Sequence, residues 1–327
     1  MSIKYLTPIN CNTDNLAPVA VYTYTRVDHF IETIESLKKN HLARYTTLYI
    51  VSDGPKCDEH KKYIEDIRNY ADDLSGFREI VKIFRPSNLG MMVSLPKAEQ
   101  QILHDHGRII NMEDDNITSQ NFLDFINSGL NFFDGDDTVY SICGYCPPVG
   151  PSNLKINGDF WRYPWNLSWG YGIWKNKYDR FYPLKNNYPK IKQSGILSKQ
   201  NRAGGLYVSD SLWRDYSGQK YFPDAVIATD MFAAGMCSII PTVSKIVNTG
   251  QDGSGQSSIR ITKDKYEVTL DTGENRIFDF RYESKLSDIY RLGANKFFNG
   301  GLLTKWARVM RIYHQLSELR DNWFSWR

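Results

Sequence analysis

Cysteine is sparse in this 327-residue sequence: Cys11, Cys57, Cys143, Cys146 and Cys237 are odd in number and scattered. That excludes a secreted disulfide framework and points to a reducing compartment. Cys143 and Cys146 form a CxxC in "SICGYC", but no second pair and no nearby histidine accompany it, so a metal or redox centre stands there against two ordinary buried thiols. A net charge of one sign is also missing, with 40 Lys and Arg against 37 Asp and Glu. Such a balance gives no field to gather nucleic acid, and no nucleic-acid partner is expected. The opening "MSIKYLTPIN" lacks a basic stretch followed by an apolar core, and nowhere does an apolar run reach the roughly 18 residues that span a bilayer. The expectation is a cytoplasmic protein, either free or peripheral on the inner face of a membrane. Internal repeats and low-complexity tracts are absent too.

What is present is core-forming and aromatic. Hydrophobic residues make up 41% of the chain, enough to bury a large core, and disorder is excluded as a default. Aromatics reach 14%, with 21 Tyr and 8 Trp, a usage that suits sugar-binding clefts as well as large cores.

From about residue 18 to 145, short β-branched runs alternate with amphipathic stretches, which predicts βαβ units around a parallel sheet. The expected strands are "PVAVYTY", "TLYIVSD", "EIVKIF", "RIINME" and "TVYSIC". Phe30, Ile31, Ile34 and Leu37 follow Asp28, an expected N-cap, at helical spacing, and Phe122, Phe125, Ile126 and Leu130 repeat the pattern. Residues 146–168, rich in Pro, Gly, Asn and Trp, read as a long acceptor-side connection. A helix is expected near 169–180, then a Lys- and Asn-rich stretch to about 202, and another helix from about 224.

The chemistry concentrates where an apolar strand runs into Glu113, Asp114 and Asp115. Carboxylates crowded at a strand end raise each other's pKa, and a divalent cation relieves that repulsion by taking oxygen ligands together with a diphosphate. Ligands also collect at the carboxyl ends of parallel strands. The alternative is a solvated turn in which Thr118 or Ser119 caps the next helix.

In order along the chain stand "APVAVYTYTRVDHFIETIESLKKN", "LYIVSDGP", "FRPSNLGMMVSLPKAEQQI", the acidic triplet, "LSWGYGIWKNKYDRF" and "VNTGQDGSGQ". That ordered set, over residues 17–257, resembles bacterial polysaccharide glycosyltransferases of the GT-A fold (O-antigen and capsule type) and, more distantly, N-acetylglucosaminyltransferase I. The resemblance implies a GT-A α/β fold: a Rossmann-like, mixed, mostly parallel sheet flanked by helices with a C-terminal helical appendage. It divides the chain into a transferase domain over 1–283, with a nucleotide-binding half at about 17–145 and an acceptor-side half at about 146–283, and an amphipathic helical region over 284–327.

It also implies roles. Thr23, Tyr24, Arg26 and Asp53 look like the nucleoside-diphosphate set, since an Asp accepts from a uracil N–H and an Arg approaches phosphate; a surface ion pair for Arg26 and a turn at Asp53 are the alternatives. Asn88 and Gly90 resemble the loop over the donor sugar, or form a plain turn. Asp115 looks like the direct ligand of Mn2+ or Mg2+, with Glu113 and Asp114 toward the donor. Asp224 is the first candidate for the base that deprotonates the acceptor hydroxyl, Asp230 the second, and a capping role competes at Asp224. Trp165, Trp169 and Gly170 lie in the segment that meets the acceptor, or pack in the core. Asp252 and Ser254 are donor-site candidates in a loop that in relatives is often followed by a His; here Gln256, Ser257 and Ser258 follow instead.

The expected reaction is inverting transfer from a nucleotide-sugar donor, a UDP-sugar, to a glycan or lipid-linked glycan hydroxyl in surface polysaccharide synthesis. Two rival classes are a catalytically silent glycan-binding or scaffold protein, and a sugar nucleotidyltransferase, whose glycine-rich loop "TYTRVDH" lacks. Finally, Leu302, Trp306, Val309, Tyr313, Leu316 and Leu319 recur at helical spacing among Lys305, Arg308 and Arg311, with Trp323, Phe324 and Trp326 at the end. Such a helix lies on an anionic membrane, docks on its own domain, or meets a second subunit in an oligomer.

Overall fold

The computed structural model describes residues 13–149, 158–203, 205–254 and 265–311. Cys11, Gln256, Ser257, Ser258 and the residues from Tyr313 onward that complete the terminal pattern lie outside the described residues.

The β-branched runs become strands and the periodic stretches become helices. In chain order these are β1 (Val19–Thr23), α1 (Val27–Lys38), β2 (Thr47–Ser52), α2 (Asp58–Asp72), β3 (Glu79–Phe84), α3 (Met91–His106), β4 (Arg108–Glu113), β5 (Asn116–Thr118), α4 (Phe122–Phe132) and β6 (Val139–Cys143). There follow β7 (Phe160–Tyr163), β8 (Tyr171–Trp174), α5 (Lys175–Phe181), α6 (Tyr188–Gln193), α7 (Ile196–Arg202), α8 (Leu206–Tyr216), α9 (Pro223–Ala233), β9 (Cys237–Pro241), β10 (Ile246–Asn248), α10 (Ser287–Asn299) and α11 (Leu302–Val309).

Eight strands form one mixed sheet in the order β3-β2-β1-β4-β8-β6-β9-β7, and β10 pairs with β5 in a small second sheet. β3, β2, β1 and β4 are mutually parallel, and β6 is parallel to β9. β8 lies antiparallel between β4 and β6, and β7 antiparallel on β9. This is the GT-A-like α/β architecture, a mixed and mostly parallel sheet with helices on both faces.

Strand pleating sorts the core. Val19 and Val21 of β1 pack with Phe30, Ile34 and Leu37 of α1 and with Phe122, Phe125, Ile126 and Leu130 of α4. Ala20, pointing the other way, joins Ala98, Ile102 and Leu103 of α3 and Met231 of α9. A third cluster holds Trp161, Tyr163, Leu212, Ala225 and Tyr290.

Several local expectations are corrected. Residues 169–180 do not form one helix: Tyr171–Trp174 is a strand, Trp174 belongs to it, and the helix starts at Lys175. The spacing of Trp165, Trp169 and Ile173 imitates a helical face, but aromatic and β-branched residues suit a pleated surface equally well. The glycines decide, since a Cβ at Gly172 would meet Ile126 Cγ2 at 2.6 Å, so α4 sits directly on a bare stretch of β8. The Lys- and Asn-rich stretch contains α6 and α7, and residues 146–168 contain β7. Asp28 falls in the first turn of α1, where the N-cap position belongs to Arg26. Cys143 and Cys146 are buried, and burial pushes their thiols up to about 11 and about 12, the behaviour of core thiols rather than redox or metal-binding ones.

α11 docks with its polarity inverted. Ala307 and Arg308 face inward, Arg308 donating to the Phe298 carbonyl at 2.9 Å, while Leu302, Leu303, Trp306, Val309 and Met310 face solvent. Among the described residues no helix is long and apolar enough to cross a membrane.

Candidate active site

Alternation along β4 separates the three acidic residues. Asn111 and Glu113 point to the α3 and α9 side, and Met112 to the α1 side with Asp114 following it. Asn111 donates to the buried Glu99 at 2.8 Å and accepts from the Tyr22 hydroxyl at 2.9 Å. Burial pushes the Glu99 carboxyl up to about 8, with hydrogen bonds from Tyr178, Tyr171 and Asn111 opposing it.

On the α1 side, Arg26 lies between two carboxylates: Nη1 donates to Asp115 Oδ2 at 2.8 Å and Nη2 contacts Asp114 Oδ1. Thr23 donates to Asp114 Oδ2 at 3.1 Å. Burial pushes Asp114 upward against the pull of Arg26, whereas Arg26 overcomes its own burial through the two carboxylates and is held charged. The double engagement of the guanidinium keeps Asp114 and Arg26 an ionised pair.

β10 carries the glycine loop onto the same spot. Asn248 Nδ2 and Asn116 Nδ2 each donate to Asp115 Oδ1 at 2.7 Å, and the Thr249 amide donates to the Asp115 carbonyl at 2.8 Å. Gly250 passes so close that a Cβ there would lie 2.0 Å from Asp115 Oδ2. Asp252 accepts from the Ser254 amide at 2.9 Å and sits 3.4 Å from His29 Nε2, which ties the loop to α1.

Asp53, just after β2, gathers the loop that precedes α3. It accepts from the amides of Gly54, Leu89 and Gly90 at 2.9, 3.0 and 2.8 Å and from Asn88 Nδ2 at 3.2 Å. Tyr24 meets His60 Nδ1 at 2.7 Å and accepts from the Lys56 amide at 3.0 Å. Beside them Arg85, the residue after β3, keeps Nε and Nη2 buried with no hydrogen-bond partner among the described residues. Sequence reading passed over Arg85, although an arginine directly after a strand and before "PSNLG" was a usable signal. Asn248 was missed for want of any local cue.

Glu113 and Asp224 share the opposite side of the cleft. Both are reached by solvent, yet both are ringed by enough protein for desolvation to lead in raising them. Burial, followed by the carboxylates of Asp115, Asp224 and Asp114, pushes Glu113 up. No side-chain partner is found for Glu113 or Asp224 among the described residues, and Asp224 makes no capping hydrogen bond at the start of α9. Asp230 is pushed up to about 6 by burial and lines a separate open cleft with Arg180, Phe181, Pro183 and Lys185.

Trp165 is 5% exposed, its ring packed against Tyr163, Phe298 and Tyr207. Trp169 is half-buried, with its ring edge-on to Tyr145 and Tyr266 at 4.6 and 5.3 Å. Gly170 has φ +61°, accepts from the Gly144 amide at 2.7 Å and leaves no room for a side chain beside Ile246.

The oxygen-rich set suits a hard divalent cation. As the side chains stand, however, both oxygens of Asp115 already accept from Arg26, Asn116 and Asn248, and among the described residues no three His, Cys, Asp or Glu groups converge.

No family model and no curated protein sequence matches the chain. Among solved structures it is similar to a mannosyltransferase, PcManGT from Pyrobaculum calidifontis in complex with GDP-Man and Mn2+, at 13% identity and a TM-score of 0.40, over 71% of this chain and 77% of that one. It is similar to S. aureus TarS 1-349 at 11% identity and a TM-score of 0.40, over 72% and 61%. The galactosyltransferase LgtC in complex with donor and acceptor sugar analogs follows at 12% identity and a TM-score of 0.37, over 68% and 72%.

Proposed function

We propose that this chain is an inverting glycosyltransferase that moves a sugar from a nucleoside diphosphate donor, a UDP-sugar, to a hydroxyl of a glycan or lipid-linked glycan. The observation that carries the reading is the cleft at the carboxyl ends of β1, β2 and β4. One side holds Arg26, engaged with Asp114 and Asp115, as the cation for a diphosphate; the other offers two open carboxylates, Glu113 and Asp224. Thr23, Tyr24 and Asp53 with the loop at Asn88 and Gly90 border the nucleoside end, and Asp252 and Ser254 the far side of the diphosphate.

Asp224 accepts the proton of the acceptor hydroxyl as its oxygen attacks the anomeric carbon. The new carbon–oxygen bond forms on the face opposite the breaking bond to the diphosphate, which leaves with the electron pair, so the anomeric centre inverts. Arg26 swings from Asp114 and Asp115 to the departing phosphate oxygens. Asp115 would hold Mn2+ or Mg2+, which would supply further neutralisation of the charge on the leaving diphosphate.

The finer placement is surface polysaccharide synthesis of the O-antigen or capsule type, at the inner face of a membrane. The outward apolar row of α11 supports a peripheral seat there, near a lipid-linked acceptor. The saturation of Asp114 and Asp115 by Arg26 favours a second reading, a catalytically silent glycan-binding protein.

Incubation with a panel of UDP- and GDP-sugars and Mn2+, followed by detection of released free sugar, separates the two. Slow donor hydrolysis that disappears in Asp224→Asn or Asp115→Ala is expected of the transferase. Nucleotide binding with no hydrolysis of any donor leaves the silent protein.

A further inference from the structure

We propose that Tyr207 is the ring on which the accepting sugar packs, an inference that rests on the transfer reading above. Tyr207 stands in the first turn of α8 and is 37% exposed, the most open member of a ring cluster in which Trp165 is closed and Phe298 half-buried. Beneath it lie Trp165, centroid to centroid 6.2 Å, and Phe298 at 6.4 Å. The Arg308 guanidinium sits 5.0 Å from the ring centre, and the Tyr207 amide donates to Asn299 Oδ1 at 2.7 Å. The ring is therefore braced by Trp165, Phe298 of α10 and Arg308 of α11 while 37% of the residue stays open to solvent.

Its surroundings place it in the cleft of the proposed base. Like Glu113 and Asp224, Tyr207 is solvent-accessible yet ringed by protein, and its phenol is influenced by Tyr266 and Asp224 after burial itself. α8 packs along α9, the helix that begins with Pro223 and Asp224, and Val208, Leu212, Ala225 and Val226 form their shared core. Tyr266 continues the wall, edge-on to Trp169 at 5.3 Å.

A braced aromatic ring beside a carboxylate is what a pyranose needs: C–H groups of one sugar face lie on the ring while a hydroxyl at its rim meets the base. Trp165 then acts from below as a support, with no exposed face of its own. Burial, followed by Tyr266 and Asp224, pushes the phenol up to about 12 and keeps it protonated at working pH.

The test uses saturation-transfer NMR on the full chain with UDP and Mn2+ present and three probes: methyl α-mannoside, methyl β-galactoside and methyl β-N-acetylglucosaminide. At least one probe should receive saturation from the wild type, fall about tenfold in Tyr207→Ala and persist in Tyr207→Trp, with UDP affinity unchanged and a cooperative melting transition retained in both variants. Saturation that survives Tyr207→Ala unchanged, or none for any probe while UDP still binds, overturns the assignment. A wild type that binds no nucleotide overturns the transfer reading instead.

Discussion

Arg26 donates to Asp115 at 2.8 Å while also clasping Asp114, so a cation of the chain itself stands between the carboxylates that crowd the end of β4. Because the two charges are buried and Arg26 is their one guanidinium partner among the described contacts, its removal leaves them uncompensated, a change that costs several kcal/mol in typical buried pairs, about 3–5. Arg26→Gln should therefore melt well below the wild type and regain most of the loss on addition of Mn2+, whereas the wild type without nucleotide should hardly respond to the metal. Differential scanning calorimetry with and without Mn2+ reads this directly; equal metal responses in the two proteins would contradict it.

Asp224 makes no side-chain hydrogen bond in the described structure, so its replacement should leave the fold intact. Asp224→Asn is expected to lower turnover roughly a hundredfold or more with donor affinity preserved, the pattern of a lost general base. Asp230→Asn, in its separate cleft, should keep near wild-type turnover. Steady-state kinetics with calorimetric UDP binding settle the pair, and a larger loss in the Asp230 variant would transfer the base role to it.

Gly250 brings the 248–252 loop against Asp115, and a Cβ there would stand 2.0 Å from Oδ2. Gly250→Ala must push the carboxylate out of its position between Arg26 and Asn248. Metal-dependent donor binding should weaken at least about tenfold and stability should fall by about 1–3 kcal/mol, because the displaced carboxylate is buried and held by Arg26, Asn116 and Asn248. Unaltered metal-dependent binding would show that the orientation of Asp115 is unimportant.

The buried Glu99 gives a pH signature. Its folded carboxyl is raised to about 8, against about 4.3 in an unfolded chain, so between those values the folded state holds a proton the unfolded state has released. Its contribution to stability is complete below about pH 4 and is lost as the pH rises toward 8, with a limiting slope of about 1.4 kcal/mol per pH unit. Glu99→Gln should flatten that decline. Urea titrations from pH 5 to 9 test it, and parallel curves for the two proteins would exclude Glu99 as the source.

Much of the architecture could be read before any coordinates, and the reason is local. Each of β1 to β4 is a short β-branched run followed by an amphipathic stretch, and such signals need no distant partner. Trp169 to Trp174 misled because a short run of aromatic and β-branched residues fits either a helix or a strand, and only the glycines between them favour the strand. At the site, the residues that gather at the strand ends could be named, but their partners could not. Asp53 holds amides of Leu89 and Gly90, and Asn248 reaches Asp115 across 133 residues of chain. Such pairings come from the crossing of β10 over β5, which no window of neighbouring residues encodes.

The reversed run of β8 has a further consequence. Had that strand followed the direction of its neighbours, Trp169 and Gly170 would have emerged at the rim remote from the carboxylates. Threaded backwards, it delivers the start of the segment to the rim where Glu113 stands, so changes in the aromatic loop ahead of Tyr171 can reshape what lies over the reacting groups without disturbing a single backbone pairing of β1 to β4. On the proposed transfer reading, the acceptor side could therefore change in shape while the frame around Asp53 and Arg26 stays as it is.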